Sequence, residues 1–352
     1  MMVLKVTSGT LLVLVAAACG DSTGPGDAFD PVEAEQAAGA VFGVVDDNAA
    51  LLALSVLGEA FSFGSAQAAI SAATVALPAE AARPTDRATR LHVMAREALA
   101  FSVASPAGLF PPSVIGNTYV YDPETGRYAV DSARTDAPEN GVRFILYAVD
   151  PILHQVATPL NEIGYVDLID ESTDTANRLH IVAVVGEITA LDYIASAQLG
   201  GGGATFSAVG SISDGSQTVE FNLTFTASAA GISIDYSIAV AGSDRSIRLV
   251  ATGDALGVSF SLTLTITNGA ETIVLVATVA AGQIEGSITF NGQTVVTFSG
   301  DENDPIFTTP DGRVLTQQEI EALGALGDLI GDVFDSFEEL LRPAFFVFGF
   351  AG

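Results

Sequence analysis

Between Gly116 and Gly300 the side chains alternate, apolar then polar, and only short turns interrupt the alternation. Val219, Phe221, Leu223 and Phe225 alternate with Glu220, Asn222, Thr224 and Thr226. Ile232, Ile234, Tyr236, Ile238 and Val240 do so with Ser233, Asp235 and Ser237, and Val258, Phe260, Leu262, Leu264 and Ile266 with Ser259, Ser261, Thr263, Thr265 and Thr267. A period of two sends successive side chains to opposite faces of an extended strand, whereas a helix repeats every 3.6 residues. The turns fall where turn chemistry wants them: Pro123 and Gly126 between residues 117–121 and 127–133, then Asp214-Gly215, Ala230-Gly231, Asn268-Gly269 and Asn291-Gly292. Asn-Gly tolerates the positive φ of a two-residue hairpin turn. About a dozen strands so joined predict an antiparallel meander over residues 113–300, one face apolar and the other rich in serine and threonine.

Helical periodicity flanks the meander. Over residues 31–112 the chain is alanine-rich, and Asp46 or Asp47 can cap a helix that places Leu51, Leu54, Leu57 and Phe61 on one side. Residues 66–77 predict a second helix, and Asp86 caps a third carrying Leu91, Ala95, Ala98 and Leu99 before Pro111-Pro112 ends the region. At the other end, residues 301–352, Asp301-Glu302-Asn303-Asp304 is expected to bound the sheet as a solvated acidic turn. Thr316-Gln317-Gln318-Glu319 is a capping box, followed by an apolar stripe through Ile320, Leu323, Leu326, Ile330, Val333, Phe334, Phe337 and Leu341 to a stop at Pro343. Phe345-Phe346-Val347-Phe348 then offers a last strand or an insertion into the core. The predicted fold class is α+β: a curved sheet or incomplete barrel packed on N-terminal helices and a C-terminal amphipathic helix.

The N-terminus has its own grammar. Lys5 precedes an apolar run from Leu11 to Val15, and the run ends in Ala16-Ala17-Ala18-Cys19. That layout is a secretory signal, too short to span a bilayer core of about 30 Å. Cys19, the single cysteine, sits directly after the small residues. Here the chain resembles a bacterial lipoprotein precursor, matching its lipobox at Ala17, Ala18 and Cys19 and departing at Ala16, where leucine is usual. The resemblance covers about twenty residues. It implies removal of residues 1–18, lipidation of the Cys19 sulfur by diacylglycerol and acylation of the new amine, with 19–30 as a tether. In that family Gly20, in place of an aspartate, implies transfer to the outer membrane. The implied partner is therefore a membrane, reached through acyl chains that contribute about 0.8 kcal/mol per buried methylene.

Charge and missing residues exclude several chemistries. With 13 Lys+Arg against 42 Asp+Glu, a formal charge of −29, the surface repels phosphate backbones, so no nucleic-acid partner is expected. Lys5 is the sole lysine, so the mature chain has no Walker loop, no Schiff base and no Ser-Lys pair. His92, His154 and His180 lie far apart, outside any zinc-ligand spacing, and no cofactor or metal is expected. Gly20-Asp21-Ser22-Thr23-Gly24 lacks the strand and helix of a nucleophile elbow, and Gly200 to Gly203 reads as a turn. Arg83, Arg87, Arg90 and Arg96 crowd one stretch, most simply as partners for carboxylates. Asp167, Asp170, Glu171 and Asp174 gather around one turn and Tyr193 follows Asp192, yet no catalytic residue stands out and no enzyme is expected.

Three functions follow from this reading. The first is a lipid-anchored envelope lipoprotein that holds a lipid or other hydrophobic ligand between sheet and helices, resembling in architecture alone the periplasmic lipoprotein carriers and their outer-membrane receptors. The second is a structural or interaction lipoprotein with a filled core. The third is a transmembrane β-barrel.

Overall fold

The alternation is realised as one broad sheet. In the computed structural model of the chain the described residues are 44, 48–60, 108–150, 153, 155–200, 203–254, 259–302 and 304–313, with 315–317, 319, 320, 323, 324, 341, 344, 347 and 348 beyond them. Among the described residues the helix α1 (Ala49–Ala60) precedes seventeen strands. These are β1 (Thr118–Asp122), β2 (Arg127–Val130), β3 (Gly141–Tyr147), β4 (Val149–Asp150), β5 (Gln155–Val156), β6 (Glu162–Asp170), β7 (Asn177–Val185), β8 (Ile188–Gly200) and β9 (Gly203–Ser213). They continue as β10 (Thr218–Ser228), β11 (Gly231–Val240), β12 (Arg245–Asp254), β13 (Ser259–Asn268), β14 (Glu271–Ala280), β15 (Gln283–Phe290), β16 (Gln293–Asp301) and β17 (Asp304–Thr308).

Fifteen strands share a sheet in the order β17 back to β6, then β3, β1 and β2, while β4 and β5 pair separately. From β6 to β17 every strand neighbours the next in sequence, the expected meander of a dozen strands. Two boundaries differ from expectation. The sheet does not stop at Gly300: Asp301 and Asp304 face each other across a hairpin, so the acidic turn joins β16 to β17 rather than ending the sheet. At the other side β1 runs parallel to β3, with Thr118 opposite Arg143, so the sheet is mixed there. Pro305 lies in β17, an edge strand, where a missing N–H costs no ladder bond.

Turn geometry follows the residues closely. Asn291 and Gly292 both take positive φ, 49° and 81°, as the type I′ turn between Phe290 and Gln293 requires. The Asn268-Gly269 expectation shifts by one place: Asn268 ends β13 opposite Glu271, and Gly269, φ 63°, is the first central residue.

The central strands bury their apolar rows, while the edge strands β2 and β17 leave Val130, Ile306 and Phe307 exposed. On β10 the row is Val219, Phe221, Leu223, Phe225 and Ala227, and on β11 Ile232, Ile234, Tyr236, Ile238 and Val240, all buried. Their neighbours Glu220, Asn222 and Thr224 are exposed. The sheet is open, with β2 and β17 as its edges among the described residues. The described strands therefore do not close into a barrel. Fifteen strands also exceed the roughly ten that an open twisted sheet carries before curling.

Of the expected helices, α1 is described, and those over 66–77 and from Asp86 lie outside the described residues. Leu51, Leu54 and Leu57 of α1 are buried as the spacing predicts, and the helix packs on β3, β7, β8 and the β4–β5 pair. Its cap is neither Asp46 nor Asp47. Asn48 Oδ1 accepts from the backbone N–H groups of Ala50 and Leu51, at 3.0 and 3.4 Å, while its Nδ2 donates to the Ser213 carbonyl at 3.0 Å. At 4 % exposure the position suits an uncharged side chain that both accepts and donates, which no aspartate does. Asn48→Ala is therefore expected to destabilise the chain by about 1–3 kcal/mol. Asn48→Asp should recover none of that loss: it keeps the helix cap, but it buries a charge against the Ser213 carbonyl, which is left without its donor. Urea midpoints decide it; an Asn48→Asp chain as stable as the parent would remove the Ser213 contact from the account.

Near the other end the capping box forms as expected. The Thr316 N–H donates to Glu319 Oε2 at 2.8 Å and the Glu319 N–H to Thr316 Oγ1 at 3.3 Å, and Gln317, Glu319, Ile320, Leu323 and Gly324 are helical. The Arg313 guanidinium beside Glu319, helped by these bonds, pushes its carboxyl from 4.5 down to about 2. A depressed carboxylate stabilises the fold above its unfolded pKa and loses that contribution as pH falls through the folded one. Stability should thus decline between about pH 4.5 and 2, and less so in Glu319→Gln, as measured by urea unfolding at pH 5 and pH 3. Beyond Pro343, Ala344, Val347 and Phe348 are helical and buried, with Phe348 edge-to-face on Phe206 at 6.1 Å. The expectation of a strand there is corrected; the expectation of insertion into the core holds.

Candidate functional site

The clustered chemistry lies on the polar face, across β3, β6, β7 and β8. Arg143 of β3 stands directly opposite Asp167 of β6 and binds it at two points, Nε to Oδ1 and Nη2 to Oδ2, both 2.7 Å. The guanidinium also lies 3.7 Å from the ring centre of Tyr165. With these side chains 17 and 13 % exposed, the pair is a half-desolvated staple between neighbouring strands, shielded from the salt that weakens exposed pairs.

One strand further, His180 of β7 stands between two carboxylates. Its Nδ1 is 3.1 Å from Glu171 Oε1 and its Nε2 is 2.8 Å from Asp192 Oδ1. Arg178 Nη2 approaches the other Glu171 oxygen at 3.8 Å. A register shift in β7–β8, between Ala183 and Val184, creates this group. Extended without the shift, the pairing of Val185 with Ile188 would set His180 opposite Tyr193. With it, His180 stands opposite Ile194 and Val182 opposite Asp192, so His180 and Asp192 share a face.

The carboxylates that crowd one turn in the sequence have separate duties. Asp167 is held by Arg143, and Glu171 by His180 and Arg178. Asp170 turns to the other face: its Oδ2 accepts from the Leu109 N–H at 2.7 Å and its Oδ1 from the Ser172 N–H at 2.9 Å. Asp174 is exposed. Asp192 and Tyr193, adjacent in sequence, point to opposite faces, and Tyr193 is buried edge-to-face on Phe221 at 5.7 Å. Burial pushes its phenol well above the usual range. Gly200 and Gly203 face each other as the ends of β8 and β9, so the glycine run is a hairpin. Cys19, Ser22, Arg83, Arg87, Arg90, Arg96, His92 and His154 lie outside the described residues.

Chemically the His180 group is a closed network. A general base needs an imidazole nitrogen free to meet its substrate, and here a carboxylate faces each nitrogen. Among the described residues no group of three His, Cys, Asp or Glu side chains is placed to hold a metal ion. Among them too, no helix is long and apolar enough to cross a membrane. No family model matches the chain, and neither a curated protein nor a solved structure matches it.

Proposed function

We propose that this chain is a lipid-anchored lipoprotein of the bacterial outer membrane, with a non-catalytic scaffold as its folded part. The apolar face of the sheet is filled from within the chain, and the hydroxyl-rich face is turned outward for interaction. Burial far along the sheet supports this reading best. Ile266, Ile273, Ile288 and Val296, on β13 to β16, are 2, 4, 1 and 2 % exposed, well beyond the strands on which α1 packs. A bare face would leave these side chains in water, at a cost of about 25 cal/mol per Å². The anchoring half of the proposal rests on Leu11 to Cys19. In a bacterial host, labelled palmitate should enter the full chain and not its Cys19→Ser variant; a parent chain that takes up no label contradicts the anchor.

A second reading, a hydrophobic ligand held between sheet and helices, draws on the half-buried Phe260, Leu275, Ala277 and Ile284, which pack against the core from the far end of the same face. Native mass spectrometry of Cys19→Ser protein with added fatty acid separates the two. A bound acyl chain supports the ligand reading, and unliganded protein alone supports the filled scaffold.

A further inference from the structure

We propose that His180 is a proton-dependent clasp, setting how firmly the turn between β6 and β7 is held to the sheet. The proposal is independent of the function proposed above. It follows from counting donors: a neutral imidazole has one N–H and one lone pair, and only the imidazolium has two N–H groups. With carboxylate oxygens 3.1 Å from Nδ1 and 2.8 Å from Nε2, both contacts are hydrogen bonds in the cation alone. In the neutral ring a lone pair faces one of the two carboxylates.

The groups around the ring are few. Glu171 faces it from the turn, Arg178 from its own strand and Asp192 from β8. Its register partners, Ile169 on β6 and Ile194 on β8, are apolar, and Asp167 is taken up by Arg143. When the ring gives up its proton, the Glu171 contact is the one to open. Asp192 lies within β8, paired on both sides with β7 and β9, whereas Glu171 lies one residue past the end of β6 and is held on one side only, its N–H donating to the Arg178 carbonyl at 2.9 Å. Asp170, its neighbour, receives the Leu109 N–H on the opposite face, next to the buried Phe110. The turn therefore carries the clasp on one face and the docking point of residues 108–110 on the other. Protonation tightens both, and deprotonation loosens both.

Amide hydrogen exchange over residues 171–178 of the full chain, corrected for intrinsic rates, tests this. Exchange should speed up roughly tenfold between about pH 5.5 and 8.5 in the parent chain, because one hydrogen bond to a charged group is lost. In His180→Gln and in Glu171→Gln, which leaves the ring in place, the two pH values should give equal protection. Nitrogen-15 spectra of the histidine rings should find both His180 nitrogens protonated at the lower pH. Equal protection of the parent at both pH values, an undiminished pH effect in either variant, or a neutral His180 ring at the lower pH would each overturn the clasp.

Discussion

Gly210→Ala is expected to cost about 3 kcal/mol or more, a large share of the roughly 5–15 kcal/mol that holds an ordinary domain folded. Gly210 occupies the apolar row of β9, opposite Tyr193 on β8 and Phe221 on β10. The two rings meet edge-to-face, 5.7 Å between centres, over the space that the missing side chain leaves. A Cβ at Gly210 would fall on the Cα and Cβ of Tyr193 and on the Asp192 carbonyl, atoms fixed by the strand ladder. Overpacking is costliest where neither neighbour can retreat. Gly292→Ala supplies the contrast. Its φ of 81° disfavours alanine, but a Cβ there meets nothing within 4 Å, so a loss of only about 1 kcal/mol is expected. Urea denaturation of the two variants should separate their midpoints widely, and equal losses would mean that the apolar row is not closely packed.

Leu57→Asp should destabilise the chain by several kcal/mol and release α1 from the sheet. Leu57 is 0 % exposed on the face of α1 that meets β3, β7 and β8. Leu57→Ala, which loses the side chain but buries no charge, should cost about 2–5 kcal/mol. The two also differ in kind. The alanine variant should unfold in one transition, whereas the aspartate variant should expose Val142, Leu179 and Leu191 before the strands separate, and so bind a hydrophobic dye at low urea. Parent-like stability of Leu57→Asp would show that α1 does not seal this part of the sheet.

Much of the fold was written in side-chain spacing. The period of two in residues 219–227, 232–240 and 259–267 located three central strands to within a residue or two, because each buries one face and leaves the other wet. The capping box at Thr316 and Glu319 was equally legible, since both of its hydrogen bonds are local. What stayed hidden depends on partners far along the chain. Asp46, Asp47 and Asn48 are all competent caps, and only the Ser213 carbonyl, a residue of β9, selects the amide. The group of His180, Glu171 and Asp192 hangs on one register shift in β7–β8, and the residues at the shift itself, Ala183 and Val184 opposite Thr189 to Leu191, carry no glycine or other marker. The acidic stretch Asp301 to Asp304 was expected to bound the sheet, because a polar turn within a hairpin and one beyond the last strand read alike; it joins β16 to β17.

The apolar face of the sheet is turned inward and the hydroxyl-rich face to water. Cys19 is the sole native thiol, so in a Cys19→Ser background single cysteines along β11 report on the two faces directly. At Ser233, Asp235 and Ser237 they should react with a small water-soluble thiol reagent at close to the rate of a free cysteine. At Ile234, Tyr236 and Ile238, each at most 2 % exposed, they should react slower by orders of magnitude, at a rate set by unfolding. Equal rates for the two sets, or faster reaction from the isoleucine side, would contradict an apolar face sealed within the chain.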